Sequence, residues 1–224
     1  MIPLLVYQIS QPIYIVVRPS IVMIRVEERN TQEQVAHGTG FFVGNETIMT
    51  AFHVVDFAKD CRFVAVSYDS GEKEVAVLDT NPSADLALVQ FHKSWWRKWN
   101  RWRFRSNYFL RLAESGFLFP GSPVFAVGHL DGEDEPQAML GIAGGFAKPE
   151  GWKETKGKIL TPSSHTRASF RGFGSLPGTS GGPVVDIAGN VVSVVSHGTP
   201  GSGQLSGPTL LELRTFLHQN RRHI

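Results

Sequence analysis

The chain has 224 residues, 42% hydrophobic and 19% charged, enough apolar material to bury a sizeable core in one compact unit or two halves. A formal net charge of +2 leaves basic and acidic residues nearly balanced, which argues against nucleic acid as the main partner. The single cysteine, Cys61, excludes an internal disulfide, so a disulfide-stapled secreted protein is disfavoured and a soluble, cytoplasmic one expected.

Residues 1–18 are rich in Ile, Val and Leu, but they lack a basic start and are broken by Pro3, Gln8, Ser10, Gln11 and Pro12. They read neither as a signal peptide nor as a membrane span, which takes roughly 18 or more apolar residues. A β-strand or hairpin lying on the body of the fold is expected, with an interfacial anchor as the other reading. Short β-rich runs then recur at Ile21 to Glu27, Thr39 to Val43, Phe63 to Val66, Glu74 to Leu78, Leu86 to Phe91, Val124 to Val127, Val184 to Ile187 and Val191 to Val195. Turn residues separate them, the pattern of an all-β barrel or sandwich. Helical periodicity is confined to the end, where Pro208 precedes an apolar stripe of Leu210, Leu211, Leu213, Phe216 and Leu217. Between two of the runs, Trp95 to Arg105 interleaves four tryptophans with Arg97, Lys98, Arg101, Arg103 and Arg105. It is expected to be a loop lying on the barrel or a surface that recruits a partner or substrate; lipid or single-stranded nucleic acid is the third reading.

Peptide hydrolysis by serine needs an imidazole to take the hydroxyl proton, a carboxylate to fix the imidazole's tautomer, and backbone N–H groups aimed at the developing oxyanion. Pro177-Gly178-Thr179-Ser180-Gly181-Gly182-Pro183 offers a serine among glycines followed by the strand-like Val184 and Val185. Ser180 would attack, and the N–H groups of Gly178 and Ser180 would form the oxyanion hole. Of eight histidines, His53 stands out. It follows the β-rich Ile48-Met49-Thr50-Ala51, so that a strand would present it at its end. Asp85 stands at the entrance of Leu86-Ala87-Leu88-Val89, where a carboxylate can be held half-buried against the histidine.

These segments resemble the trypsin-like peptidase domain of the HtrA (Deg) proteases. Pro19-Ser20-Ile21-Val22 is similar to the opening strand of that family and Gly38-Thr39-Gly40-Phe41-Phe42-Val43 to its next. Thr50 to Asp56 is similar to its histidine motif, Ala84 to Val89 to its aspartate motif, Val124 to Gly128 to the start of its second barrel, and Pro177 to Pro183 to its serine motif. The resemblance implies an all-β, chymotrypsin/trypsin-like double barrel with a short C-terminal helix. Residues 1–18 would be a β extension, 19–112 the first barrel carrying His53 and Asp85 with an insertion at 92–107, and 113–222 the second barrel and helix carrying Ser180. It implies a serine endopeptidase acting on protein or peptide substrates. Thr179 stands where the family has asparagine and His129-Leu130 where Asn-Pro is common, and no PDZ domain is expected.

Ser196-His197-Gly198 is placed like the edge on which trypsin-like enzymes pair the substrate backbone, with His197 either facing substrate or filling the place of an aromatic wall. Gly174 sits where trypsins carry an acid, so a neutral, apolar residue before the scissile bond is expected. Thr179 has no charge to receive a freed N-terminal amine, so local contacts are expected to order the oxyanion loop, the strand Ile21 to Glu27 among the candidates. Rival readings are a catalytically silent, protease-shaped binding module, a viral-type polyprotein-processing protease, and a surface-binding protein built around Trp95 to Arg105. With no His-Glu-x-x-His element and no paired cysteines, neither metal nor cofactor is expected; self-association is left open.

Overall fold

A computed structural model describes residues 11–44, 46–57, 60–67, 71–91, 108–114, 119–147, 167–173, 177–199, 203–222 and 224. Trp95 to Arg105, the 92–107 insertion and Gly174 lie outside them.

Six antiparallel strands form a closed barrel: β1 (Ile21–Glu28), β2 (Gln34–Phe42), β3 (Thr47–Thr50), β4 (Cys61–Ser67), β5 (Gly71–Asn81) and β6 (Leu86–Phe91), in the order β1-β2-β3-β6-β5-β4. A second sheet comprises β7 (Pro123–Gly128), β8 (Gln137–Ala147), β9 (Arg167–Arg171), β10 (Pro183–Val185), β11 (Val191–Val194), β12 (His197–Thr199) and β13 (Gln204–Gly207), in the order β11-β10-β7-β8-β9-β13-β12. Its terminal strands β11 and β12 are separated in the chain only by Val195 and Ser196. The sheet therefore curls so that the chain passes directly from one end strand to the other, without pairing between them among the described residues, and the fold is the expected all-β double barrel.

Side-chain alternation explains why so many strands are continuously buried. On β6, Ala87, Val89 and Phe91 join the interior of the first barrel with Ile24, Phe42 and Ile48, while Leu86 and Leu88 face the other way. There they meet Val124 to Val127 of β7 and Val184 and Val185 of β10 in one core that joins the two barrels. A strand covered on both faces loses the alternation of a half-exposed one, so β6 reads as a plain apolar run.

The expected β extension is corrected for residues 11–17; residues 1–10 lie outside the described residues. Residues 11–17 form a helix, α1, with Ile13 and Val17 buried in the same core and Ile15 and Val16 exposed. Ile13 and Val17 are four apart and so share one helical face, and burial of that face overrides the β preference of Ile and Val. The C-terminal helix, α3 (Leu210–Gln219), starts at Thr209 rather than Pro208: the Thr209 hydroxyl accepts from the Glu212 N–H while the Glu212 carboxylate accepts from the Thr209 N–H. Leu210, Leu213 and Phe216 are buried, whereas Leu211 is 74% exposed and drops out of the expected stripe. None of the described helices is long and apolar enough to cross a membrane.

Candidate active site

His53 lies not at a strand end but on a one-turn helix just past β3, α2 (Phe52–Val55). The first turn of a helix leaves its N–H groups without partners, and here a carboxylate fills the gap. Asp85 Oδ1 accepts from the His53 backbone N–H at 3.0 Å, and Asp85 Oδ2 accepts from His53 Nδ1 at 2.8 Å. One carboxylate thus fixes both the backbone and the ring of His53. The turn that carries Asp85 is written in Asn81-Pro82-Ser83: the Asn81 side chain accepts from the Ala84 N–H, and Asp85 N–H donates to the Pro82 carbonyl. Asp85 itself has a φ of 55°, a left-handed conformation that aspartate tolerates better than most residues.

Asp85 is only 4% exposed. Burial alone would raise its pKa. Hydrogen bonds from the His53 ring, the Ser196 hydroxyl and the His53 backbone, together with the histidine's charge, outweigh burial and hold the carboxyl below its ordinary value.

Ser180 sits on the loop between β9 and β10, and that loop is tied to the first barrel by β2. Thr39 N–H donates to the Ser180 carbonyl at 2.7 Å, Thr39 Oγ1 donates to the Gly178 carbonyl at 2.7 Å, and the same hydroxyl accepts from the His129 N–H at 3.0 Å. Thr50 Oγ1 in turn donates to the Thr39 carbonyl at 2.7 Å. Local contacts that order the loop thus include those from β2, the neighbour of β1, and Thr39 is a residue the motifs do not single out. Its only signal was a threonine between two glycines in an apolar strand.

Two glycines of the loop are required by the backbone. Gly178 has a φ of 85°, and a Cβ there would lie 2.2 Å from the His129 carbonyl oxygen. Gly181, also at 85°, would place a Cβ 2.2 Å from Thr50 Oγ1 and 2.9 Å from the Ala51 nitrogen. The loop thus lies directly against the residues that lead into His53. Among the described residues, Gly178 N–H and Ser180 N–H have no protein acceptor, as donors awaiting an oxyanion would. The Ser180 hydroxyl is not hydrogen-bonded to His53, a contact that often closes only around substrate.

Ser196 and His197 follow β11. Ser196 Oγ donates to Asp85 and accepts from Arg167 Nη1 at 2.6 Å, so its side chain serves the carboxylate rather than a substrate. With that proton committed to Asp85, the 2.8 Å contact to His197 Nδ1 has the imidazole N–H donating to Ser196. The exposed His197 ring is 6.1 Å from that of His53, centroid to centroid. On β12, Gly198 pairs with Leu205 of β13, and among the described residues β12 is a terminal strand with β13 on one side only. No three His, Cys, Asp or Glu side chains converge on one point among the described residues.

His129, 1% exposed, supports the same loop from behind. Its Nδ1–H donates to the Glu133 carbonyl at 2.8 Å, and its buried Nε2 has no partner among the described residues. Burial depresses its pKa below the ordinary 6.5, the nearby His37 adds to the depression, and the Glu133 carbonyl and Asp134 only partly oppose it. The folded chain therefore binds this proton more weakly than the unfolded one. The contribution is full above about 6.5 and is lost as pH falls from there towards the depressed folded value. Denaturant unfolding midpoints should drop between pH 7 and pH 5, and His129→Asn, which keeps the donor but cannot be charged, should flatten that slope. Equal slopes would contradict it.

Residues 38–194 match the model of the trypsin-like peptidase domain, and the chain belongs to that family, a class of serine endopeptidases. Its curated relatives include a probable periplasmic serine endoprotease, DegP-like, of Chlamydia trachomatis, 26% identical over 86% of this chain, and that of Chlamydia muridarum, also 26% identical over 86%. Both are of the HtrA type that the motifs resemble, and the chain spans about a third of their length, 35% in each. Among solved structures, the Rv3671c protease of Mycobacterium tuberculosis in its active form superposes with a TM-score of 0.73 at 22% identity, over 94% of this chain and 85% of that one. Its inactive form gives 0.70 at 20% identity, over 95% and 94%.

Proposed function

We propose that the chain is a serine endopeptidase that cleaves peptide or protein substrates through an acyl-enzyme. Ser180 is the nucleophile and His53 the base that takes its proton and returns it to the leaving amine. Asp85 holds the His53 tautomer and balances the imidazolium, and the N–H groups of Gly178 and Ser180 receive the oxyanion. The observation that carries this reading is the double grip of Asp85 on His53, at both backbone and ring. A purely structural contact has no need to hold Nδ1–H on a buried carboxylate and so turn Nε2 outward as a proton acceptor.

The open edge of β12 offers its backbone to an extended substrate as an added strand. The test is digestion of a proteome-derived peptide library with mass spectrometry of the products. Internal cleavages clustered on one residue type before the scissile bond support an endopeptidase with a defined pocket. Products trimmed only from termini, or none, contradict it.

A further inference from the structure

From the surroundings of Arg167 we infer that the enzyme selects substrates with an acidic side chain on the acyl side of the scissile bond, at the second or the fourth residue before it. The fourth residue is the next on the same face of an extended chain. This names the substrate class of the site above and rests on the proteolytic reading.

Arg167 opens β9, close to where β12 leaves the active centre. Nη1 donates to Ser196 Oγ at 2.6 Å, which places the guanidinium one hydroxyl away from Asp85, and it lies 3.4 Å from His197 Nδ1. That hydrogen bond anchors the head group. The other nitrogens, Nε and Nη2, have no acceptor among the described residues, and Arg167 is partly exposed. No carboxylate of the described residues pairs with Arg167, in contrast to Arg25 and Arg62, which share Glu27 and, in the case of Arg25, Glu72 as well. An arginine held by one nitrogen with its remaining N–H groups open is a preorganised fork for a carboxylate.

Its position decides which carboxylate. A substrate strand added to the edge of β12 would run past His197, whose ring is 6.1 Å from that of His53. The guanidinium, 3.4 Å from His197 Nδ1, would be within reach of an Asp or Glu side chain carried on that strand. Asp85 does not compete for it, because Ser196 stands between them.

The test uses a cleaved peptide and its variants carrying Asp or Asn, and Glu or Gln, at the second and the fourth residue before the scissile bond. Each protein is read as a ratio of kcat/KM for acid over amide, which cancels any change in basal activity. For the wild type the ratio should be about tenfold or more at low salt at one of these positions, and should shrink as ionic strength rises. In Arg167→Gln it should fall to about one, and Arg167→Lys should retain part of it. A wild-type ratio of one or less at both positions overturns the inference, as does a preference that survives in Arg167→Gln. Should Arg167→Gln not fold, the wild-type ratio, its salt dependence and the Arg167→Lys ratio still decide. Failure to cleave any peptide would sink the proteolytic reading itself and this inference with it, an outcome distinct from cleavage without preference.

Discussion

Ser180→Ala should fold as the parent does and lose turnover by about a million-fold, the scale seen when a serine protease loses its nucleophile. The hydroxyl bonds to neither His53 nor any other side chain among the described residues, and Ser180 is tied into the fold through its carbonyl, which accepts from the Thr39 N–H. Removing one partly exposed oxygen leaves that tie intact, so the unfolding free energy should change by less than about 0.5 kcal/mol. Circular dichroism and denaturant titration would check the first half, and hydrolysis of a peptide substrate the second. Activity at the wild-type level would remove Ser180 from the chemistry.

Asp85→Asn should cost about 10⁴ in turnover while keeping the backbone, because asparagine accepts the left-handed φ of 55° as readily as aspartate. The reason lies in the donors that converge on this side chain: the His53 N–H, the His53 Nδ1–H and the Ser196 hydroxyl. An amide can accept from only one of its two ends. Its NH₂ then faces a donor, and His53 relieves the conflict by moving its proton to Nε2, which leaves no lone pair for the proton of Ser180. A stability loss of about 1–3 kcal/mol should accompany this, from a buried donor left without an acceptor. In the parent, the folded Asp85 carboxyl binds its proton more weakly than the unfolded one, so its contribution is full above the ordinary value of 3.8 and is lost as pH falls below it. The variant should lack that acid-limb loss. Retention of more than a tenth of the parental turnover would contradict the assigned role.

The parts of this account that were legible in the sequence are those where chemistry or backbone geometry leaves few residue choices. Gly178 and Gly181 are needed at positive φ, and His53 and Asp85 each sit beside an apolar strand that announces its position. What escaped was decided by distant contacts. Strand β8 contains Gly141, Gly144 and Gly145, a composition that reads as loop, yet a Cβ at Gly141 would fall 2.3 Å from the Phe173 ring, and the pairing with β9 is irregular between Ala143 and Gly145. Residues 11–17 carry strand-forming Ile and Val and became a helix because one face is buried against the joint core. Ser196 was placed at the substrate edge by its motif, but nothing in the sequence said that its hydroxyl would turn to Asp85. Arg167 had no local signal at all.

The most direct measurement of the central claim is labelling by a fluorophosphonate, which reacts with a serine only when a neighbouring base activates it. The wild-type protein should take up one equivalent, with the adduct mapped by mass spectrometry to Ser180, and labelling should vanish in Ser180→Ala and fall steeply in His53→Ala. A folded wild-type protein that stays unlabelled, or an adduct on any other serine, would contradict the assignment of Ser180 as an activated nucleophile.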